Sequence, residues 1–336
     1  MRLNIGIIGC GYWGKNLIRN FIEAQNCWLS SVSDMDKKVL RYIKLRHPSL
    51  KICAHYKDLI HSKDIDAVVI ATPAREHYRM AREALLSGKD VLVEKPLATS
   101  VKDARDLVSI ARKKNRILMV NHTFLFTGAV RKIKEIIRSG DLGRILYYDG
   151  VRINLGLFQK DVNVLWDLAP HDLSIMLFLL NKEPVQVSAI GVAHLKKGIE
   201  NIAYMTLGFK GDLIAHFHFN WLAPAKVRLT LIGGSEKMIV YNDTEPSEKV
   251  KVYDRRVKIV HSPEGEYKPN YDYRIGDMWA PKVDLAEPLQ YACEEFVNAV
   301  RKHRKPVSDG EFALRIVKIL EAAKKSIKHN GKITKL

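Results

Sequence analysis

Short apolar runs alternate with segments of helical spacing along the first third of the chain. Residues 3–8 are almost entirely apolar and are followed by Gly9, whereas apolar residues recur every three or four positions over residues 13–24. These patterns predict a buried strand and an amphipathic helix. The same signals predict strands at 28–33, 50–54, 67–71, 90–94 and 116–121 and helices at 36–46, 75–87 and 100–114. This alternation favours a parallel, doubly wound sheet, in which ligands bind at the carboxyl ends of the strands.

The pattern changes after residue 122. Helices are predicted at 127–138, 165–180, 288–304 and 309–328, and a long strand at 145–155. Between residues 185 and 260, extended segments are separated by turn residues, which is typical of an open antiparallel sheet. Residues 262–284 are rich in Tyr, Pro and Gly, and we expect a long functional loop or an interface segment there.

Together these patterns predict an α/β protein of two domains. We expect an N-terminal Rossmann domain, with a doubly wound parallel sheet, over residues 1–122. Residues 123–336 are expected to form an α+β domain with a large, open, mainly antiparallel sheet, which binds substrate. The C-terminal helices are candidates for packing back on the first domain. A length of 336 residues suits two domains of ordinary size.

The turn after the first strand carries a dinucleotide-binding pattern. Residues 9–14, Gly-Cys-Gly-Tyr-Trp-Gly, fit G-x-G-x-x-G between a predicted strand and a predicted helix. The glycines permit a tight turn, a close approach of the pyrophosphate and close strand–helix packing, and the N–H groups at the helix start bind phosphates. Asp34 lies 20 residues after Gly14; its carboxylate accepts ribose hydroxyls and repels a 2′-phosphate, which favours NAD over NADP. Lys37 and Lys38 keep NADP open, and glycines in an ordinary turn are the plainer alternative.

Net charge widens the set of possible partners. The chain has 55 Lys and Arg against 37 Asp and Glu, a formal charge of +18, and such a charge attracts phosphates. The densest basic clusters, 112–114 and 301–305, lie near predicted helix ends, where cations are favoured. No nucleic-acid motif accompanies them. We therefore expect a solvated surface with a general attraction for anionic ligands, and no nucleic-acid partner.

The remaining composition excludes several classes. The four cysteines form no C-x-x-C pair, so neither a zinc ribbon nor a disulfide framework is predicted. His216 and His218 share a strand face, but without a third ligand no metal is predicted. The apolar runs are too short to span a membrane, and the N-terminus does not fit a signal peptide. A cytoplasmic protein is expected.

Several further motifs resemble the Gfo/Idh/MocA family of oxidoreductases. They are Val69-Ile70-Ala71-Thr72-Pro73 with His77 after it, Glu94-Lys95-Pro96-Leu97, Asp167-Leu168-Ala169-Pro170-His171-Asp172, and Pro306-Val307-Ser308-Asp309-Gly310 ahead of Glu321-Ala322-Ala323. They follow the family's order from about residue 3 to 335. The resemblance implies NAD-dependent oxidation of a CH–OH group by hydride transfer. It also implies a homodimer or homotetramer formed through the C-terminal sheet.

Fingerprint and resemblance together predict the cofactor site. The residues expected there are Gly9, Gly11, Tyr12, Trp13, Gly14, Asp34, Thr72, Pro73, His77, Glu94, Lys95 and Asn121. In the family the peptide before the proline of Glu94-Lys95-Pro96 is often cis.

The predicted catalytic residues are Lys95, Asp167 and His171. Asp167 and His171 are one helical turn apart and can face the same way, provided that Pro170 lies in the first turn of its helix. By resemblance, His171 removes the hydroxyl proton, and Asp167 orients the ring or contacts a substrate hydroxyl. Lys95 would bond the reacting hydroxyl or the cofactor ribose, and its charge would favour the developing alkoxide-like oxygen. The alternative is a helix cap beside a surface histidine.

Substrate recognition is predicted from residues 151–156 and 161–166. These stretches resemble a subgroup linked to sugar-nucleotide and surface-polysaccharide synthesis, some of whose members oxidise the 3-hydroxyl of UDP-N-acetylglucosamine. Besides the catalytic three, Arg152, Asn154 and Trp166 are the expected substrate contacts, although Arg152 and Asn154 could equally be exposed sheet residues.

One departure from the family pattern bears on the substrate. Many members place an Arg after the sixth strand, where this chain has residues 121–126, Asn-His-Thr-Phe-Leu-Phe. This counts against a simple inositol-type enzyme. The alternatives that stay open are a free-sugar or inositol dehydrogenase, an enzyme that keeps its cofactor through turnover, and a non-enzymatic NAD-binding sensor.

Overall fold

The chain divides into two compact units. The computed structural model describes residues 2–156, 158–159, 162–260 and 270–336. The first unit comprises Met1–Phe126 and Glu287–Glu321, and the second comprises Thr127–Ala286 and Ala322–Leu336. The predicted limits, 1–122 and 123–336, follow chain order, so they did not separate residues 287–321 from the second domain. Residues 287–321, which include the helix predicted at 288–304, belong to the first unit, as suggested by the expectation that C-terminal helices could pack back on the first domain.

The first unit is built on a six-stranded parallel sheet. Its strands are β1 (Leu3–Ile8), β2 (Cys27–Ser33), β3 (Lys51–Cys53), β4 (Ala67–Ile70), β5 (Asp90–Glu94) and β6 (Leu118–Asn121). They lie in the order β3-β2-β1-β4-β5-β6 and every pairing is parallel. The predicted doubly wound sheet is confirmed. The order reverses between β1 and β4, where ligands bind in sheets of this kind.

Nine α-helices occur among the described residues. They are α1 (Tyr12–Glu23), α2 (Lys37–Arg46), α3 (Lys57–Ile60), α4 (Ala74–Leu86), α5 (Val101–Lys113), α6 (Gly128–Ser139), α7 (Val164–Leu180), α8 (Pro288–Arg301) and α9 (Gly310–Lys328). A 3₁₀ turn, Thr123–Phe126, precedes α6. Only the four-residue α3 was not predicted, since one turn is too short to show a hydrophobic period. No helix in the described part of the chain is long and apolar enough to cross a bilayer.

The second unit contains a nine-stranded, mostly antiparallel sheet. Its strands are β7 (Ile145–Leu155), β8 (Pro184–Val192), β9 (Ile202–Phe209), β10 (Ile214–Asn220), β11 (Leu222–Gly234), β12 (Met238–Asn242), β13 (Val250–Val260), β14 (Asn270–Trp279) and β15 (Thr334–Lys335). They lie in the order β14-β13-β12-β11-β7-β10-β9-β8-β15, and only β7 and β10 pair in parallel among these neighbours. The expected open sheet is confirmed.

The loop predicted at 262–284 is wrong in part. Residues 270–279 form β14, which pairs antiparallel with β13, whereas residues 261–269 lie outside the described residues. Tyr271, Tyr273 and Ile275 recur every second position and are all exposed. The abundant Tyr, Pro and Gly residues of the segment obscured that two-residue period.

The two faces of the second sheet differ in burial. On the face toward α7, Tyr148, Phe217 and Phe219 are fully buried. On the other face, Tyr204 and Ile214 remain 47% and 48% exposed. The alternation along each strand places successive side chains on opposite faces, so the second face carries exposed apolar side chains together with polar ones.

Candidate functional site

The glycine turn of the first unit is shaped by close packing at two positions and by open space at a third. Gly9 has φ +93°, and a Cβ there would lie 2.5 Å from the Ala71 carbonyl oxygen at the end of β4. A Cβ on Gly14 would lie 2.0 Å from the Gly9 oxygen, whereas a Cβ on Gly11 would meet nothing within 4 Å. Gly11 is the N-cap of α1 and offers no side-chain cap. The amino end of α1 therefore fits a pyrophosphate.

Asp34 joins the end of β2 to this turn. Its Oδ2 accepts the Cys10 N–H at 2.7 Å, and its Oδ1 accepts the Asp36 N–H at 2.9 Å. The carboxylate is thereby held beside the glycine turn, with lone pairs left over for ribose hydroxyls. Lys37 and Lys38 are exposed at the start of α2.

The cysteines belong to the core. All four are free and buried. Burial, with the Asp34 charge adding to it, raises the pKa of Cys10 to about 12. These thiols are therefore structural and protonated at neutral pH.

His77 braces two turns at the carboxyl edge of the first sheet. The ring is buried, with Nδ1 2.7 Å from the Pro96 carbonyl oxygen and Nε2 2.8 Å from the Thr72 carbonyl oxygen. Both partners are carbonyl oxygens, so the N–H of either neutral tautomer has an acceptor. His77 was predicted to bind the cofactor. That role stays a prediction; in the structure its two nitrogens lie against the turn after β4 and the turn after β5, as expected of a buried polar ring.

The ends of β5 and β6 form a connected polar group. Glu94 accepts the Asn121 amide at 2.6 Å and the Lys95 N–H at 3.3 Å. Asn121 in turn accepts the Thr123 hydroxyl at 3.0 Å. Burial raises the pKa of Glu94, although the Asn121 hydrogen bond opposes this shift. Lys95 is half-buried and its peptide bond to Pro96 is cis.

His122 was not among the predicted site residues. It is 1% exposed, and neither ring nitrogen has a hydrogen-bond partner in the ranges that the structure describes. Burial, with the charge of Lys95 adding to it, lowers the pKa of His122 to about 3. A neutral, desolvated imidazole thus lies at the carboxyl edge beside the predicted catalytic lysine. The available signal was its place directly after β6, where the family's arginine is absent.

Helix α7 of the second unit begins earlier than the catalytic prediction required. Asn163 caps it by accepting the Trp166 N–H at 3.2 Å. The first helical residue is Val164, so Pro170 is the seventh and lies beyond the first turn. The condition that Pro170 lie in the first turn is therefore not met. Since proline has no N–H, the Trp166 carbonyl loses its intrahelical donor.

Most residues of α7 are buried, and the exceptions are informative. Asp167, Leu168, His171 and Phe178 keep partial exposure, while the other thirteen residues are buried. Asp167 and His171 therefore share one stripe of the helix, as their spacing predicted. The Asp167 carboxylate accepts a hydrogen bond of 3.2 Å from the indole Nε1 of Trp221. An acid–base pair on the accessible stripe of a buried helix is suited to contact a ligand.

Two predicted substrate contacts are core residues. Arg152 is 5% exposed and binds Asp172 of α7 through two hydrogen bonds of 2.6 and 3.0 Å. Trp166 is also 5% exposed. The alternation along β7 puts Arg152 on the face toward α7, where Asp172 neutralises its charge. Neither Arg152 nor Trp166 has the exposure that a substrate contact needs. Asn154 is half-buried, and its contact with substrate stays a prediction. The first residue of the stretch 161–166 lies outside the described residues.

The charged and histidine clusters have local explanations. Arg112 lies in the last turn of α5 and Arg301 ends α8, as expected for cations at helix C-termini. His216 contacts the Thr206 hydroxyl at 3.0 Å, and His218 stacks on a neighbouring tyrosine ring 4.5 Å away. Among the described residues, no group of three His, Cys, Asp or Glu side chains could hold a metal ion.

A glycine turn open to a pyrophosphate, at the reversal point of a doubly wound parallel sheet, is the arrangement of a dinucleotide-binding domain. The sequence pattern described as "Oxidoreductase family, NAD-binding Rossmann fold" matches residues 3–122, and that of the "GFO/IDH/MocA C-terminal domain" matches residues 130–240. The chain belongs to the GFO/IDH/MocA family of oxidoreductases. A non-enzymatic sensor is therefore not retained.

Comparisons with individual proteins give a consistent picture. UDP-N-acetylglucosamine 3-dehydrogenase of Acidithiobacillus ferrooxidans is 28% identical over 76% of this chain and 76% of its own. A solved structure of UDP-N-acetylglucosamine 3-dehydrogenase GnnA from Acidithiobacillus ferrooxidans superposes with a TM-score of 0.81, at 20% identity over 98% of both chains. Inositol 2-dehydrogenase 2 of Saccharopolyspora erythraea is 29% identical over 56% of this chain and 57% of its own. Matches to curated relatives cover between 50% and 97% of the relatives' lengths.

Proposed function

We propose that this oxidoreductase uses NAD to oxidise a secondary hydroxyl of a sugar or sugar nucleotide to the keto-sugar. The observation that carries the proposal is the accessible stripe of α7. A helix with thirteen buried residues keeps an Asp and a His partly exposed one turn apart. Partial exposure at that spacing suits proton transfer with a bound alcohol.

The proposed chemistry gives a role to each of the three predicted catalytic residues. His171 takes the hydroxyl proton, since an imidazole is a suitable general base near neutral pH. Asp167 orients the ring and stabilises its charged form. Lys95 donates to the reacting oxygen and stabilises the negative charge that develops on it as the C–H bond breaks. Bound NAD⁺ supplies the hydride acceptor.

Cofactor choice is proposed from Asp34. Its carboxylate is held beside the glycine turn by two backbone N–H groups. A fixed negative charge at that position favours ribose hydroxyls and repels a 2′-phosphate. Thr72, Pro73, Tyr12 and Trp13 remain proposed as neighbours of the cofactor.

The substrate is proposed to be a UDP-N-acetylhexosamine-like sugar nucleotide oxidised at C3. The support is the 28% identity with the UDP-N-acetylglucosamine 3-dehydrogenase, together with a net charge of +18, which attracts a diphosphate. A free sugar or an inositol is the second candidate, favoured by the inositol dehydrogenase among the relatives.

Self-association is proposed to involve the exposed face of the second sheet. Tyr204 and Ile214 lie on neighbouring strands of that face, each nearly half exposed. Large apolar side chains left exposed on a sheet face are candidates for burial in an interface. A homodimer or homotetramer formed there would cover it, as the family resemblance implies.

The decisive experiment is a panel of UDP-sugars, free sugars and inositols, each tested with NAD⁺ and NADP⁺ by the absorbance of the reduced cofactor. His171→Ala and Lys95→Ala should each lower kcat by at least about a hundredfold, while NAD binding measured by calorimetry is retained. The matched controls are exposed residues, His329→Ala and Lys114→Ala, which should keep full turnover.

A double variant tests whether both residues act in one reaction. If the Lys95→Ala/His171→Ala enzyme loses the product of the two single effects, the residues act independently, whereas a smaller loss indicates a shared transition state. Wild-type turnover from either single variant contradicts the proposed roles.

A further inference from the structure

The carboxylate of Asp167 accepts a hydrogen bond from the indole of Trp221. Trp221 lies between β10 and β11, is 1% exposed, and donates its Nε1–H to Asp167 Oδ2 at 3.2 Å. We infer that Trp221 is a positioning residue that sets the orientation of the Asp167 carboxylate, and through it the His171 imidazole. The inference rests on the proposed function, since it concerns the acid–base pair assigned there.

The backbone of Trp221 is fixed from both sides. Its N–H donates to the Asn201 carbonyl at 2.9 Å, and its own carbonyl accepts the Gly156 N–H at 3.0 Å. These bonds fall where β10 and β11, which both pair with β7, are joined. The residue therefore has little backbone freedom with which to withdraw the indole.

The indole ring is equally confined. A Cβ on Gly156 would lie 2.9 Å from Trp221 Cδ1. Phe158 meets the ring in an edge-to-face contact, with centroids 5.5 Å apart and an interplanar angle of 64°. The absence of a side chain at 156 admits the ring, and the edge contact limits its rotation. This close approach explains why a glycine stands at position 156, at the end of the stretch 151–156.

An indole is chemically suited to this task. Its N–H is a donor only, so it cannot exchange roles with a carboxylate as a hydroxyl or amide could. A hydrogen bond to a charged acceptor is stronger than one between neutral groups. Trp221 therefore fixes one oxygen of Asp167 and presents the same carboxylate rotamer to the turn of α7 that carries His171.

The test is to remove the N–H and keep the ring. Trp221→Phe should lower kcat about tenfold, the loss expected for a hydrogen bond to a charged group, with the Kd for NAD unchanged. Trp28→Phe, a matched change at a half-exposed tryptophan of β2, should leave kcat within about twofold of wild type. A kcat for Trp221→Phe that is also within twofold would overturn the inference.

A double-mutant cycle separates positioning from general support of the fold. In the Asp167→Ala enzyme, Trp221→Phe should change kcat by less than about twofold, because the acceptor has already gone. A full tenfold loss in that background would show that Trp221 acts by another route and would overturn the inference. Wild-type kcat in Asp167→Ala alone would contradict the proposed function of Asp167 instead.

Gly156→Ala provides a second variant if Trp221→Phe does not fold. The added methyl displaces the indole without deleting it, so kcat should fall in the wild-type background and stay unchanged in the Asp167→Ala background. Equal losses in both backgrounds would count against positioning.

Discussion

The ion pair between Arg152 and Asp172 offers a quantitative prediction about the second unit. Both side chains are 6% exposed, and the guanidinium makes two hydrogen bonds to the carboxylate. Arg152→Met keeps the apolar stem and removes the charge. The Asp172 carboxylate would then remain buried between α7 and β7 without its partner.

The expected magnitude follows from that burial. Deleting one partner of a buried pair costs about 3–5 kcal/mol, whereas replacing both partners by apolar residues of similar size is often neutral or stabilising. Arg152→Met should therefore lower the free energy of unfolding by about 4 kcal/mol. The double variant Arg152→Met/Asp172→Leu should recover most of this loss, because neither charge of the pair then stays buried without the other.

Urea unfolding followed by circular dichroism measures both effects. The control is Arg144→Met, which breaks a pair with Asp212 whose side chains are 66% and 76% exposed; it should cost less than about 1 kcal/mol. A loss below that figure for Arg152→Met, or a double variant as unstable as the single one, would refute the reasoning. A stable Arg152→Met enzyme with a raised KM for substrate would restore the substrate contact first predicted for Arg152.

Three further predictions concern the cofactor site, the buried histidine and the sheet face. Asp34→Ala should relax the preference for NAD, seen as a smaller ratio of kcat/KM for NAD⁺ over NADP⁺; an unchanged ratio would remove Asp34 from the site. The pKa of His122 is lowered from 6.5 to about 3. Between pH 6.5 and about pH 3 this histidine is therefore protonated in the unfolded chain but neutral in the folded one. Stability should therefore fall by about 2 kcal/mol from pH 7 to pH 5, a loss that urea titrations of His122→Phe should not show. Tyr204→Glu/Ile214→Glu should shift the mass measured by light scattering toward the monomer; an unchanged mass would place the interface elsewhere.

Sequence patterns were most informative where the chemistry is local. The glycine turn, the strand before it and Asp34 lie within residues 3–34, and the structure brings them together at one edge of the sheet. In these segments the hydrophobic period and the turn residues point to the same structure, so the elements around the turn could be predicted closely. The doubly wound sheet followed from the same agreement.

Errors occurred where a side chain's partner is distant in the chain. The two-residue period of β7 placed Arg152 and Asn154 on one face, but it could not show that α7 supplies Asp172 to that face. Trp221 was missed for the same reason, since its partner Asp167 is 54 residues away. His122 lacks even such a partner among the described residues, and only burial makes it conspicuous.

The return of residues 287–321 to the first unit has a consequence for how such domains can be separated. Phe21 of α1 packs edge-on against Phe296 of α8, and Arg19 pairs with Glu287. Ser308 also bonds the carbonyl of Val120 in β6. A fragment ending at residue 122 would expose Phe21 and leave an unsatisfied strand edge. Exchange of the whole second unit between relatives, in evolution or in the laboratory, therefore requires three junctions, after residues 126, 286 and 321.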